Sequence, residues 1–78
     1  MKNRRLIEEH IETNPGIQHG RPCIKGTRTP AYVILEALAT GMDIETIKKE
    51  FSITKEDINA CILYAALLAD EQELITQP

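Results

Sequence analysis

Hydrophobic positions keep a helical rhythm through the last two thirds of the chain and no single rhythm before it. From Pro30 to Thr40, Val33, Ile34, Ala37 and Leu38 recur at i, i+1, i+4 and i+5, which predicts a helix with one buried face. Thr29 is placed to cap that helix, with Pro30 at its first position. Gly41 ends it as a left-handed cap, and Asp43 caps a second, shorter helix. There Ile44, Ile47 and Phe51 share a face, while Lys48, Lys49 and Glu50 point to solvent. Ser52-Ile53 forms a turn. Thr54-Lys55-Glu56-Asp57 is a near capping box, with Asp where Glu or Gln is usual, and it opens a third helix.

That last helix is over-apolar. Ile58, Cys61, Ile62, Ala65, Leu68 and Ala69 form a continuous stripe, yet Ala60, Leu63, Tyr64 and Leu67 lie off it. A helix apolar on nearly all sides is buried on nearly all sides. A small domain does not cover it alone, so Ala60, Leu63, Tyr64 and Leu67 are the candidate partner or dimer interface. The two helices after Gly41, joined by a three-residue turn, have helix-turn-helix proportions. With the helix from Pro30 they make a three-helix, homeodomain-like unit. The fold class read here is therefore mainly α: a short N-terminal β segment followed by that unit.

The first third is different. Met1 to His10 fits either a helical stripe or an approach to a strand. A short strand at about His10 to Thr13, preceded by a frayed tail, is the favoured reading. Asn14-Pro15-Gly16 is a turn. Pro22-Cys23-Ile24 alternates weakly and suits a very short strand, which pairs with the first one or with the same segment of a second subunit. Gly26 is expected at positive φ. This places one small domain at residues 10–71, between an N-terminal tail (1–9) and a polar C-terminal tail (72–78).

Length permits one domain: 78 residues bury a modest fraction of their surface, and such chains gain stability from disulfides, metals or oligomers. The two cysteines, Cys23 and Cys61, are far apart with no C-x-x-C spacing, so free cytosolic thiols are the default and a homodimer is the expected compensation. No apolar leader follows Met1, and the run Ala60 to Ala69 is too short to span a bilayer, so a cytoplasmic protein without a membrane partner is expected. Charge is uneven. Residues 1–28 carry a net +3 (Lys2, Arg4, Arg5, Arg21, Lys25 and Arg28 against Glu8, Glu9 and Glu12), and the remainder carries −6. Any nucleic-acid surface belongs to the basic third, and the acidic remainder disfavours tight nonspecific binding.

The stretch Gly20-Arg21-Pro22-Cys23-Ile24-Lys25-Gly26-Thr27-Arg28-Thr29-Pro30 carries more than local structure. G-x-P-x-I-x-G-T-R-x-P precedes an apolar helix ending in Ala-x-Gly41. Asp43-Ile44-Glu45-Thr46-Ile47, then Thr54-x-Glu56-Asp57-Ile58-x-Ala60 and Tyr64-Ala65-Ala66 follow. Together they resemble the bacterial domain-of-unknown-function family four-three-three over roughly Ile11 to Glu71. This chain departs from that pattern at Thr29, where an aliphatic residue is usual, and at Phe51-Ser52-Ile53, where a Tyr-Pro-x-Leu turn is usual. Some members are described as antitoxins of the VapB type, paired with PIN-like ribonuclease toxins. The resemblance thus implies a non-enzymatic antitoxin-like protein that binds such a toxin and its own operator DNA. The competing reading is a plain interaction or dimerisation module without DNA affinity, which the acidic helical region favours.

Candidate chemistry follows from the same residues. In a helix-turn-helix the second helix enters the major groove N-terminus first, which exposes Lys55 for phosphate or guanine and Asn59 for adenine. Glu56 and Asp57 beside them are ordinary first-turn acids that complement the helix dipole. Arg4, Arg5, Arg21, Lys25 and Arg28, doubled by a dimer, are the stronger electrostatic candidate, although solvated surface charge is the commoner role of scattered Arg and Lys. Lys25-Gly26-Thr27-Arg28 before a helix start resembles an anion cradle but lacks P-loop spacing. There, the favoured reading is that Arg28 pairs with an internal acid or with carbonyls at a helix end and that Thr27 satisfies the turn's amides. His10, His19, Cys23 and Cys61 lack the spacing of a zinc site, and His19 reads as an exposed turn residue. No nucleophile-base pairing or carboxylate pair suggests catalysis, and no cofactor is expected.

Overall fold

A computed structural model describes the chain from Lys2 to Glu71. The predicted polar tail at 72–78 lies outside the described residues. Among the described residues there are four helices, α1 (Lys2–His10), α2 (Ala31–Ala39), α3 (Ile44–Phe51) and α4 (Lys55–Glu71), with two short strands, β1 (Ile11–Glu12) and β2 (Cys23–Ile24). The strands pair antiparallel within the chain, Ile11 opposite Ile24 and Glu12 opposite Cys23. The Lys25 amide extends the ladder by donating to the His10 carbonyl at 2.7 Å.

The lead-in is the first correction. Residues 2–10 form helix α1 and not a frayed tail. Among its described side chains, Leu6 and Ile7 pack against the core, both half-buried. Nine residues are too few to hold a helix in water alone, so α1 exists because it lies on α4. The contact between α1 and α4 is the most extensive between any two elements.

Between the strands, Asn14 accepts from the Gly16 amide at 2.8 Å and starts the expected turn. A 3-10 turn at Gln18–Gly20 then brings the chain back, with His19 exposed at φ +58°. Ile24 to Thr27 closes a β-turn, the Thr27 amide donating to the Ile24 carbonyl at 3.0 Å. Gly26 is its third residue at φ +83°, a value that a side chain strains, although a Cβ would meet nothing there. The cost of any replacement is therefore backbone strain and not a clash.

Helix α2 starts differently from the expectation. Pro30 occupies the N-cap with extended backbone (φ −66°, ψ 146°), and Thr29 makes no cap. The first helical amide, of Ala31, is satisfied by the Pro22 carbonyl at 2.8 Å, so the helix hangs directly on the approach to β2. The end is as expected: Gly41 at φ +97° donates to the Leu38 carbonyl and Met42 donates to the Ala37 carbonyl, a Schellman closure. Asp43 stands at the N-cap of α3 but bonds the Thr46 hydroxyl and not a backbone amide. Helix α3 ends on Ser52 in left-handed geometry (φ 55°, ψ 50°), which turns the chain into α4 within three residues.

Ile24, Ile34, Ile47, Ile58 and Cys61 are the largest fully buried side chains, joined by Ile11, Ala31, Ala37, Ile53 and Ala60. One residue from almost every element meets there, with α4 at the centre between α1 and α2.

Candidate partner-binding face

The beginning of α4 is locked. The Thr54 amide donates to Asp57 Oδ2 at 3.0 Å, and the Asp57 amide donates to the Thr54 hydroxyl at 3.1 Å, a reciprocal capping box with Asp at its third position. The other carboxylate oxygen of Asp57 accepts from His10 Nδ1 at 2.8 Å, which ties the last residue of α1 to the first turn of α4. Burial pushes the Asp57 carboxyl up, but hydrogen bonds from Thr54 and His10 outweigh it and hold the group below its ordinary 3.8. One turn on, Cys61 is fully buried, and burial, with Asp57 nearby, pushes its thiol up to about 12. Cys23 is raised as well, by burial and then by Glu12 beside it in the ladder. Both cysteines are free, buried and poorly ionised.

The rest of α4 is open. From Ile62 onward no described residue is buried, and Ile62 and Leu68 are 44% and 38% exposed. This corrects two expectations. Ala60, placed on the partner face by the sequence, is fully buried in the core, while Ile62, Leu68 and Ala69, placed in the buried stripe, face outward. An all-round apolar helix gives periodicity no direction, so only the neighbours decide which side is inside. Leu63, Tyr64 and Leu67 are half-buried.

Two clefts, the larger one apolar and the smaller one of mixed character, flank this half of the helix and share Tyr64 and Leu68 as their common ridge. The larger, of about 400 Å³, lies between α2 and α4 and is lined by Pro22, Tyr32, Leu35, Tyr64 and Leu68, with Arg21 as its one charged side chain. Arg21 stacks its guanidinium on the Tyr32 ring, 5.1 Å from the centroid. The smaller, of about 330 Å³, lies between α1 and α4, where Arg4, Ile7 and Glu8 meet Tyr64, Leu67 and Leu68. Tyr32 and Leu35 were not singled out by the sequence. Tyr32 is the one aromatic residue of α2, and that is the signal that points to it.

The basic residues come from α1, the approach to β2 and the turn before α2. Arg4 and Arg21 border the two clefts, and Arg5 is exposed on α1. Lys25 is committed to structure: its ammonium donates to the Glu8 carbonyl at 2.7 Å, neutralising the C-terminal end of α1. Arg28 is exposed and makes no ion pair among the described residues. Thr27 serves its own turn, its hydroxyl donating to the Ile24 carbonyl and accepting from the Thr29 amide, so the anion-cradle reading loses its hydroxyl. Lys55 and Asn59 are exposed one turn apart on α4, with Glu56 exposed beside Lys55. Among the described residues no three potential metal ligands come together, and no helix is long and apolar enough to cross a membrane.

No curated protein and no solved structure matches the chain. The family model described as Protein of unknown function (DUF433) matches residues 11–65, from β1 to the middle of α4. With more than half of its length matched, the chain belongs to that family.

Proposed function

We propose that this is a non-enzymatic binding protein that docks the Tyr64–Leu68 face of α4 on a protein partner, in the manner of an antitoxin on a PIN-like ribonuclease. The observation that carries the reading is the concentration of exposed large apolar side chains around one half of one helix. Tyr32, Ile62 and Leu68 are among the few exposed large hydrophobic residues. A surface of this kind is unfavourable in water and is retained where another molecule covers it. The antitoxin form comes from the family resemblance; the docking form comes from the surface. Helices α3 and α4 around their three-residue turn have the proportions of a helix-turn-helix, and exposed Lys55 and Asn59 suit a second role on operator DNA.

The second reading is a dimerisation module without DNA binding. It is favoured by the commitment of Lys25 to the Glu8 carbonyl and by Glu56 beside Lys55, both of which weaken phosphate attraction.

Co-expression with a PIN-like nuclease, followed by capture and light scattering, tests the two together. The antitoxin reading expects a stable heteromeric complex that Leu68→Asp dissociates without unfolding the protein. A homodimer that Leu68→Asp splits, with no nuclease retained, replaces it with the dimerisation reading. A monomer under all conditions sinks both. Absence of any DNA shift at low salt removes the operator role alone.

A further inference from the structure

The larger of the two clefts has a feature the smaller one lacks, a cation without a counter-charge. In the smaller cleft Arg4 and Glu8 both stand in the wall, so their charges offset one another. In the larger cleft Arg21 is the one charged residue. The rest of the wall is Pro22, alanine and leucine side chains, and the rings of Tyr32 and Tyr64. The Arg21 guanidinium lies 5.1 Å from the Tyr32 ring centroid and forms no ion pair among the described residues. Stacking uses the face of the guanidinium and leaves its in-plane N–H fork open to an anion.

Arg21 is also held in place from behind. Its amide donates to the Gln18 carbonyl at 3.1 Å, and its carbonyl accepts from the Cys23 thiol at 3.4 Å. The next carbonyl, of Pro22, takes the first amide of α2 at 2.8 Å. The backbone that carries the cation is therefore ordered before a ligand arrives, which lowers the entropy cost of binding. Residues 29–78 carry a net charge of −6, so an anion that binds here is drawn by Arg21 and not by a general basic surface.

We propose that the cleft between α2 and α4 binds a small amphipathic monocarboxylate. Its apolar body lies between Tyr32, Leu35, Tyr64 and Leu68, and its carboxylate takes the open edge of Arg21 as a bidentate pair. A volume of about 400 Å³ and an apolar wall with one charged group suit a small ligand of this make-up. One cation matches one negative charge. A phosphate monoester, with a charge near about −2, leaves the excess uncompensated against an apolar wall. The ligand covers Tyr32 and Leu68, which are 44% and 38% exposed without it. The inference goes beyond the protein-docking reading of α4 and stands without it, because the free chain alone forms the site.

The test titrates octanoate into the full chain and follows amide and methyl chemical shifts. Octanol, octylammonium and acetate serve as the uncharged, cationic and headgroup-only counterparts. The expected result is saturable binding of octanoate with the largest shifts at Arg21, Tyr32, Leu35 and Leu68, and none from acetate or octylammonium. Arg21→Gln, a change at an exposed side chain, is expected to keep the parent melting temperature. It weakens octanoate at least tenfold, about 1.4 kcal/mol, and leaves octanol unchanged. Leu68→Ser keeps the cation and is expected to weaken octanoate and octanol alike. Equal octanoate affinity for the parent and Arg21→Gln overturns the proposal. So does an equal response to octanoate and octylammonium, a set of shifts spread over the whole surface, or no saturable binding at millimolar octanoate. Each of these leaves the protein-docking reading of α4 standing.

Discussion

The two halves of α4 are made of similar residues and do opposite things. In the first half Ile58, Ala60 and Cys61 have no exposed surface, and Asp57 is bonded on both oxygens. In the second half Ile62, Leu67 and Leu68 are just as apolar, yet none is buried. Composition does not separate the halves. The elements around them do: β1, α1 and α2 all reach α4, but the clefts beside Tyr64 and Leu68 are left unfilled. Apolar surface near the fold's centre becomes core; the same surface past its edge becomes something another molecule can cover.

The sharpest way to break this comparison is a matched pair of truncations. Ile58→Ala removes a fully buried side chain and is expected to cost about 3 kcal/mol, whereas Leu68→Ala is expected to cost under about 1 kcal/mol. Urea unfolding of both variants reads the difference directly; equal losses would mean that the second half of α4 is core after all.

A smaller effect tests the lock at the start of the helix. Asp57→Asn is expected to cost about 1 kcal/mol at neutral pH, through the cap and the His10 bond. Because the folded Asp57 carboxyl lies below its ordinary 3.8, its contribution is complete above about pH 5 and is lost as pH falls through the lower folded value. The stability gap between parent and variant should therefore close on acidification. A gap that widens below pH 4 would contradict the assignment of Asp57 as the stabilising anion.

The smallest expected change is the most useful for function. Leu68→Asp is expected to alter stability by no more than about 0.5 kcal/mol, because its side chain is already in contact with water. Melting within about 4 °C of the parent, combined with loss of partner binding, is the signature of a docking surface. A large drop in melting temperature would return Leu68 to the core.

Much of this molecule was legible along the chain, wherever chemistry acts over a few residues. The left-handed glycines at 26 and 41, the Asn14 turn, the Thr54–Asp57 box and the short strands at Ile11 and Cys23 were all readable, because φ, hydrogen-bonding reach and β-propensity are local properties. The start of α2 was misread by one position, because the partner of its first amide is the Pro22 carbonyl, a residue that the local sequence does not place beside it.

Helix α1 was missed for the same reason on a larger scale. With Leu6 and Ile7 as its only large aliphatics it has too little apolar surface to announce itself, and its helicity comes from α4, more than forty residues away along the chain. Ala60 was assigned outward and Leu68 inward because an all-round apolar helix carries no preferred direction. The sequence by itself determined where α2, α3 and α4 lie, to within about a residue at their starts, and that the last of them carries more apolar surface than the domain can bury. Which side of that helix is core, which is covered by α1 and which stays open was decided only by tertiary packing, since burial depends on the neighbours that arrive and not on the residues that wait for them.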